Sequence, residues 1–270
     1  MTTAARSWLH AILLTVLVFL ASSASAEMNP AELKAFSGYK AKAEKGDPVA
    51  QFNLGFCFDT GLGVAKNQVE AVNWYRKAAG QGNAAAQCNL GYCYDNGEGV
   101  AKDQIEAVKW YRKAADQGND QAQLNLGDSY RKGEGVAKDE VEAVKWYRKA
   151  ADKGHAAAQN SLGVSYELGK GVAKDEVEAV KWYRKAADQG YDLAQHSLGN
   201  CCLYGKGVAK DEVEAYAYFN LAGITEEDTR KDLAILDKGM SSDARLRGQQ
   251  RTKELQKEIE AKIAAKNASK

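Results

Sequence analysis

One step length, 36 residues, organises most of this sequence. Tryptophan falls at Trp74, Trp110, Trp146 and Trp182, and Tyr218 holds the next place. Gly55, Gly91, Gly127, Gly163 and Gly199 keep the same step, as do Ala50, Ala86, Ala122, Ala158 and Ala194. Five copies run from Gly46 to Thr225 without an insertion, at 46–81, 82–117, 118–153, 154–189 and 190–225. A fixed period of this size marks units that cannot bury their apolar faces alone and must stack on one another.

Each copy reads as two helices, A and B. In the first copy, helix A spans roughly Asp47 to Asp59, with Asp47 as N-cap and Pro48 in the first turn. Its core side carries Ala50, Leu54, Gly55 and Phe58, and later copies put Tyr94, Tyr130 and Tyr166 where Phe58 stands. A glycine turn follows: Gly61-Leu62-Gly63-Val64 in copy one, Gly97-Glu98-Gly99-Val100 in copy two. G-x-G also occurs in phosphate-binding loops, but those follow a strand, and here the pattern recurs five times between helices. Glycine in this place ends a helix at positive φ. Helix B opens with Asn67/Glu70, Asp103/Glu106, Asp139/Glu142, Asp175/Glu178 and Asp211/Glu214, the spacing of a reciprocal capping box. Their recurrence at every helix start argues against catalytic carboxylate pairs. Gly82, Gly118, Gly154 and Gly190 close the B helices.

Both ends of such a stack need covering. Residues 27–45 are expected to form an N-terminal capping helix, opened by the capping box Asn29–Glu32 with Pro30 at its first position. Residues 226–270 are expected to form C-terminal capping helices, the last one capped by Ser241 or Ser242 and carrying Leu246, Leu255 and Ile259, with a frayed tail.

Residues 1–26 have a different character. Arg6 precedes an apolar run from Ala11 to Leu20, and Ala24-Ser25-Ala26 supplies a small-residue cleavage pattern. That is the layout of a secretory signal peptide; the run is short for a bilayer span of ~20 residues. The expected location is therefore periplasmic or secreted, with no integral membrane segment after cleavage. Arg6 is the one charged residue of this segment, so the remainder carries 36 basic and 36 acidic residues. That balance provides no cationic excess for nucleic acid or anionic lipid.

The combination A-Q-x-x-L-G-x-x-Y, G-x-G-V and E-A-V-K-W-Y-R-K-A-A stands here as Ala122, Gln123, Leu126, Gly127 and Tyr130; Gly133, Gly135 and Val136; and Glu142 to Ala151. It resembles the Sel-one-like repeat family, relatives of the tetratricopeptide repeats. The resemblance covers residues 46 to about 225. It implies an all-α fold, an α/α superhelix or right-handed solenoid of helix-turn-helix repeats, used as a scaffold or adaptor that binds a protein or peptide partner along its concave face.

On helix A, the positions away from the core form a separate stripe. Its candidates for partner contact are Asn53 and Phe56, Asn89 and Tyr92, Asn125 and Asp128, Ser161 and Val164, then Ser197, Asn200 and Tyr204. Asn53, Asn89, Asn125, Ser161 and Ser197 make a polar ladder whose other stripe neighbours change from copy to copy. Two readings stand side by side. The ladder hydrogen-bonds a partner's backbone, since an amide both donates and accepts, or it is a run of small polar surface residues.

Five cysteines in an exported chain invite disulfides, but five cannot all pair within one chain. Cys57, Cys93 and Cys201 share one repeat position and so do not face one another. Cys88 lies about 140° round the helix from Cys93, which makes Cys57–Cys88 the preferred bridge, while Cys202 takes the place of a core tyrosine and is expected to be buried and inert. Cysteine-rich helical-repeat proteins are similar but carry a regular cysteine pair in each repeat. They suggest the alternative of a cell-wall-fragment binder or envelope enzyme, and this sequence lacks their pairing. Beyond the leader only His155 and His196 occur, at different repeat positions, with no H-x-x-x-H, C-x-x-C or G-x-S-x-G pattern. The sequence thus points to a non-enzymatic protein without metal or cofactor.

Overall fold

The computed structural model describes residues 29–223 and 227–268. The leader at 1–26 and the joint at Thr225 lie outside them. The described residues form thirteen α-helices and no strand. They fall into two compact units divided between Lys102 and Asp103.

The first unit contains α1 (Pro30–Ala43), α2 (Pro48–Thr60), α3 (Gln68–Gly80) and α4 (Ala84–Asn96). α2 and α3 are helices A and B of the first copy, and α4 is helix A of the second. α1 is more than a lid. Its Ala43 stands 36 residues before Ala79, and each accepts a hydrogen bond from a buried glutamine, Gln51 and Gln87 respectively. The capping helix therefore takes the place of helix B for the first copy. Asn29 caps it by accepting from the Ala31 amide at 2.9 Å, not from Glu32 as a capping box would require.

The second unit contains α5 (Gln104–Asp116), α6 (Asp120–Lys132), α7 (Glu140–Asp152), α8 (Ala156–Leu168), α9 (Glu176–Ala187), α10 (Asp192–Tyr204), α11 (Glu212–Leu221), α12 (Glu227–Gly239) and α13 (Ser242–Ala268). Its core repeats with the sequence. Leu126, Leu162 and Leu198 are buried on the A helices, and Tyr111, Tyr147, Tyr183 and Phe219 on the B helices. Helices A and B of one copy touch where a glycine faces that aromatic ring. A Cβ on Gly127 would lie 2.6 Å from Tyr147, so only glycine permits the contact.

The turn glycines have a second duty. Gly133 ends α6 at φ 77, its amide donating to Ser129 O at 2.8 Å. Gly135, at φ 70, lies so close to the first turn of α5 that a Cβ would sit 2.0 Å from the Gln104 carbonyl oxygen. G-x-G is thus a seat between neighbouring copies and not an anion cradle.

The B-helix caps form only half of the expected box. Asp139 accepts from the Glu142 amide at 2.9 Å, but Glu142 does not reach back. The Asp139 amide already donates to Tyr130 O, at the end of the preceding A helix, at 2.9 Å. Glu142 instead pairs with Lys145 at 2.8 Å, and Glu106 and Glu178 do the same with Lys109 and Lys181. On the B helices of the first four copies a lysine lies over the tryptophan, with Lys149 Nζ 3.5 Å from the Trp146 ring centroid.

α13 is helical as far as Ala268. Its first half docks on α11, with Gly248 against Tyr216 and Leu255 buried. Its second half runs past the α9–α10 connection, where Lys262 meets Asp188 at 2.8 Å and Ile263 touches Gly190. These contacts hold in register a segment whose composition alone does not demand it.

Candidate partner-binding stripe

In the first unit the stripe mixes half-buried amides with exposed aromatics. Asn53 and Asn89 are half-buried, while Phe56 is 41% and Tyr92 49% exposed. Asn89 donates to the hydroxyl of Tyr75, which also donates to Asp59 at 3.3 Å. Burial pushes the Cys93 thiol up to about 12, helped by the negative charges of Asp59 and Glu98. The first unit therefore gathers acidic groups beside its stripe.

In the second unit several predicted contacts already have partners. Asn125 accepts from Gln121 at 2.8 Å. Asp128 accepts from the Tyr147 hydroxyl at 2.6 Å and pairs with Arg131 at 3.3 Å. Asn200 bonds His196 at 3.2 Å, and His196 meets Asp232 of α12 at 3.0 Å. Ser197 turns its hydroxyl back to Leu193 O. Tyr204 is 63% exposed. Ser161 and Val164 line a groove of about 340 Å³ together with Arg131, Asn160, Leu168 and Lys170. The ladder is consequently not uniform. Asn53 makes no side-chain hydrogen bond among the described residues, whereas Asn89 and Asn125 are engaged within their own units.

No disulfide joins Cys57 to Cys88. All five cysteines are buried thiols. Cys88 occupies the core place that Phe52 holds one copy earlier, where Phe52 packs against Tyr75 at a ring separation of 6.0 Å, so its sulfur belongs to the packing within its copy. Cys202, beside Glu214 and Asp211, is pushed up to about 11, chiefly by burial. A thiol held protonated is a poor nucleophile. His155 is the N-cap of α8, its Nδ1 accepting from the Ala158 amide at 3.3 Å. Among the described residues no cluster of three or more His, Cys, Asp or Glu is placed to hold a metal ion, and no helix is long and apolar enough to cross a membrane.

Sequence reasoning missed two features. One is the buried glutamine of each copy. The other is the position after it, Phe52, Cys88, Leu124, Asn160 and His196, which changes in every copy. That variation beside an invariant core was the available signal.

The Sel1 repeat model matches residues 48–83, 84–119, 120–155, 156–191 and 192–223. This chain belongs to the Sel1 repeat family. The family boundaries begin two residues later than the sequence period was cut, at the first turn of each A helix. No curated protein matches the chain. Among solved structures, it is similar to c5321, described as a protective antigen of uropathogenic Escherichia coli with an SLR fold, at 39% identity and a TM-score of 0.78. That match covers 86% of this chain and 50% of the other, so this chain spans half the length of the E. coli protein. A Sel1 repeat protein from Oxalobacter formigenes is 34% identical, with a TM-score of 0.70, over 82% of this chain and 96% of that one. The immunity protein Pa5087 of Pseudomonas aeruginosa, 22% identical with a TM-score of 0.50 over 82% of each chain, shares the fold alone. As a Sel1 repeat chain, it carries the architecture of helix-turn-helix repeats; Sel1 repeat proteins generally mediate protein–protein interactions.

Proposed function

We propose that this Sel1 repeat protein is an exported interaction scaffold that holds a protein or peptide partner against the A-helix stripe. The carrying observation is the contrast between core and stripe. The buried leucines, alanines and tyrosines recur at every 36-residue step, while the stripe changes and exposes Phe56, Tyr92 and Tyr204. Aromatic side chains left in water are the usual anchors of interfaces. The leader-like layout of residues 1–26 favours export.

Affinity capture from envelope and extracellular fractions, followed by mass spectrometry, tests this reading. The wild-type chain should retain a protein partner that a Phe56→Ala/Tyr92→Ala double variant of unchanged helicity loses. A second triple variant, Asn53→Ala/Asn89→Ala/Asn125→Ala, isolates the ladder. Equal capture by wild type and double variant would overturn the stripe. Retention on peptidoglycan in place of a protein would favour the cell-wall-fragment alternative.

A further inference from the structure

We infer that the groove lined by α6, α7 and α8 receives the carboxylate of an acidic side chain carried by the bound partner segment. This rests on the scaffold reading above. The internal repeat supplies the argument, because each junction between copies can be compared with the next.

At the junction of copies four and five, Lys206 Nζ meets Glu167 Oε1 at 3.2 Å. Glu167 also accepts from the Tyr183 hydroxyl at 2.7 Å. Thirty-six residues earlier the same two positions are Lys170 and Arg131, with Tyr147 in the place of Tyr183. A cation–anion pair at one junction is a pair of cations at the other. Both cations line the 340 Å³ groove. Asp128 takes Glu167's place on the tyrosine hydroxyl and pairs with Arg131, but among the described residues no carboxylate pairs with Lys170 as Glu167 pairs with Lys206.

The neighbours do not make up the difference. Arg131 spends Nε on the Tyr147 hydroxyl at 3.1 Å and one Nη on Asp128. A guanidinium has five N–H donors, so several are left over. Lys170 makes no ion pair among the described residues. Glu140, the one carboxylate lining the groove, is held by Lys138 at 3.0 Å. Asn160 adds an amide without a hydrogen-bond partner, its Oδ1 buried. A half-turn about χ2 exchanges its oxygen and nitrogen, so it can donate to an anion. Val164 and Leu168 form an apolar wall, Leu168 being 54% exposed. The best complement is an acidic residue next to an apolar one. In the first unit the same two positions are Asp59 and Glu98, which repel such a residue. The groove of the second unit is thereby the one that selects it.

The test uses the full chain and a library of random seven-residue peptides displayed on phage. Lys170→Glu sets a carboxylate opposite Arg131, as Glu167 stands opposite Lys206, and so closes the groove's demand from within. Wild type should enrich peptides carrying Asp or Glu beside an apolar residue. Those peptides should bind Lys170→Glu roughly tenfold or more weakly, and their binding to wild type should fall as salt is raised. Enriched peptides without an acidic residue, or equal binding by a Lys170→Glu chain with unchanged melting, would overturn the carboxylate site and leave the scaffold reading standing. Enrichment of no peptide by wild type would overturn both. Should Lys170→Glu disturb folding, Lys170→Gln carries the same comparison.

Discussion

The side-chain amide of Gln123 donates to the main-chain carbonyl of Ala115 at 3.1 Å, tying α6 to the last turn of α5. The final carbonyls of a helix have no partner within it, and this one is buried by the next copy. Gln159 serves Ala151 at 3.1 Å and Gln195 serves Ala187 at 3.5 Å, while Gln51 and Gln87 do the same in the first unit. Gln123→Leu keeps the volume and removes the donor. The Ala115 carbonyl keeps the bond from the Gly118 amide at 2.9 Å, so the variant loses one hydrogen bond, about 0.5–1.5 kcal/mol, and the urea midpoint should drop accordingly. An unchanged midpoint would show that the bond contributes nothing net.

The turn glycines differ sharply in what they tolerate. Gly135→Ala must adopt φ 70 and place a methyl group 2.0 Å from the Gln104 oxygen. Strain at positive φ costs about 1 kcal/mol, and overpacking adds about 1–3 kcal/mol. Gly80, the last residue of α3, is not at positive φ, and a methyl group added there would meet nothing within 4 Å. Gly80→Ala should therefore raise stability by up to about 1 kcal/mol. Thermal melts of both variants give the comparison, and the same sign for both would contradict it.

The period, the helix pairs and the core leucines were readable in the sequence because each depends on contacts that recur every 36 residues, whereas the aromatics read as core, Phe58, Tyr94, Tyr130 and Tyr166, are half-buried and the fully buried rings are Tyr75, Tyr111, Tyr147 and Tyr183. What stayed illegible depends on one copy meeting another. Glu142 looked like the second half of a capping box, but the Asp139 amide finds Tyr130 O across the turn. Gln123 stood in the sequence as a motif residue without a role, because its partner belongs to the preceding copy. Cys57–Cys88 was argued from direction around a helix and not from distance. Of the stripe, Phe56, Tyr92 and Tyr204 are exposed as anticipated, while Asp128 and Asn125 were given to a partner although their own neighbours hold them.

Buried thiols make this chain sensitive to alkali. Burial pushes Cys93 and Cys201 up to about 12 and Cys202 to about 11, from an ordinary 9.0, and Tyr218 up to about 12 from 10.0. Below pH 9 the folded and unfolded chains hold these protons alike, and stability does not depend on them. Above it the unfolded chain releases protons first, so stability falls from about pH 9 towards 12. Melting temperatures across that range should decline steadily. Cys201→Ser removes part of the slope without a packing defect, since Ser129 and Ser165 hold the same position in other copies. In native protein at neutral pH a thiol reagent should label slowly, and all five thiols should react after denaturation. Rapid native labelling would place these sulfurs at the surface.

The last helix is held by a few definable contacts, and their removal should free it without unfolding the copies before it. Arg251 clasps Glu214 of α11 through Nε at 2.8 Å and Nη2 at 3.3 Å, and reaches Glu258 on its own helix at 2.9 Å. That geometry holds the guanidinium well above its usual pKa, so it stays charged throughout the working pH range. Leu255 supplies the apolar part of the joint, at 5% exposure. Leu255→Ala should cost about 2–5 kcal/mol locally, and Arg251→Ala less, because the pair is partly solvated. In a stacked array such losses stay near the end where they occur. Hydrogen exchange should therefore accelerate along α13 and at Tyr216 of α11, while amides of α6 and α7 keep their protection. Uniform acceleration through α6 and α7 would mean that the second unit unfolds as one block and that α13 is part of its core.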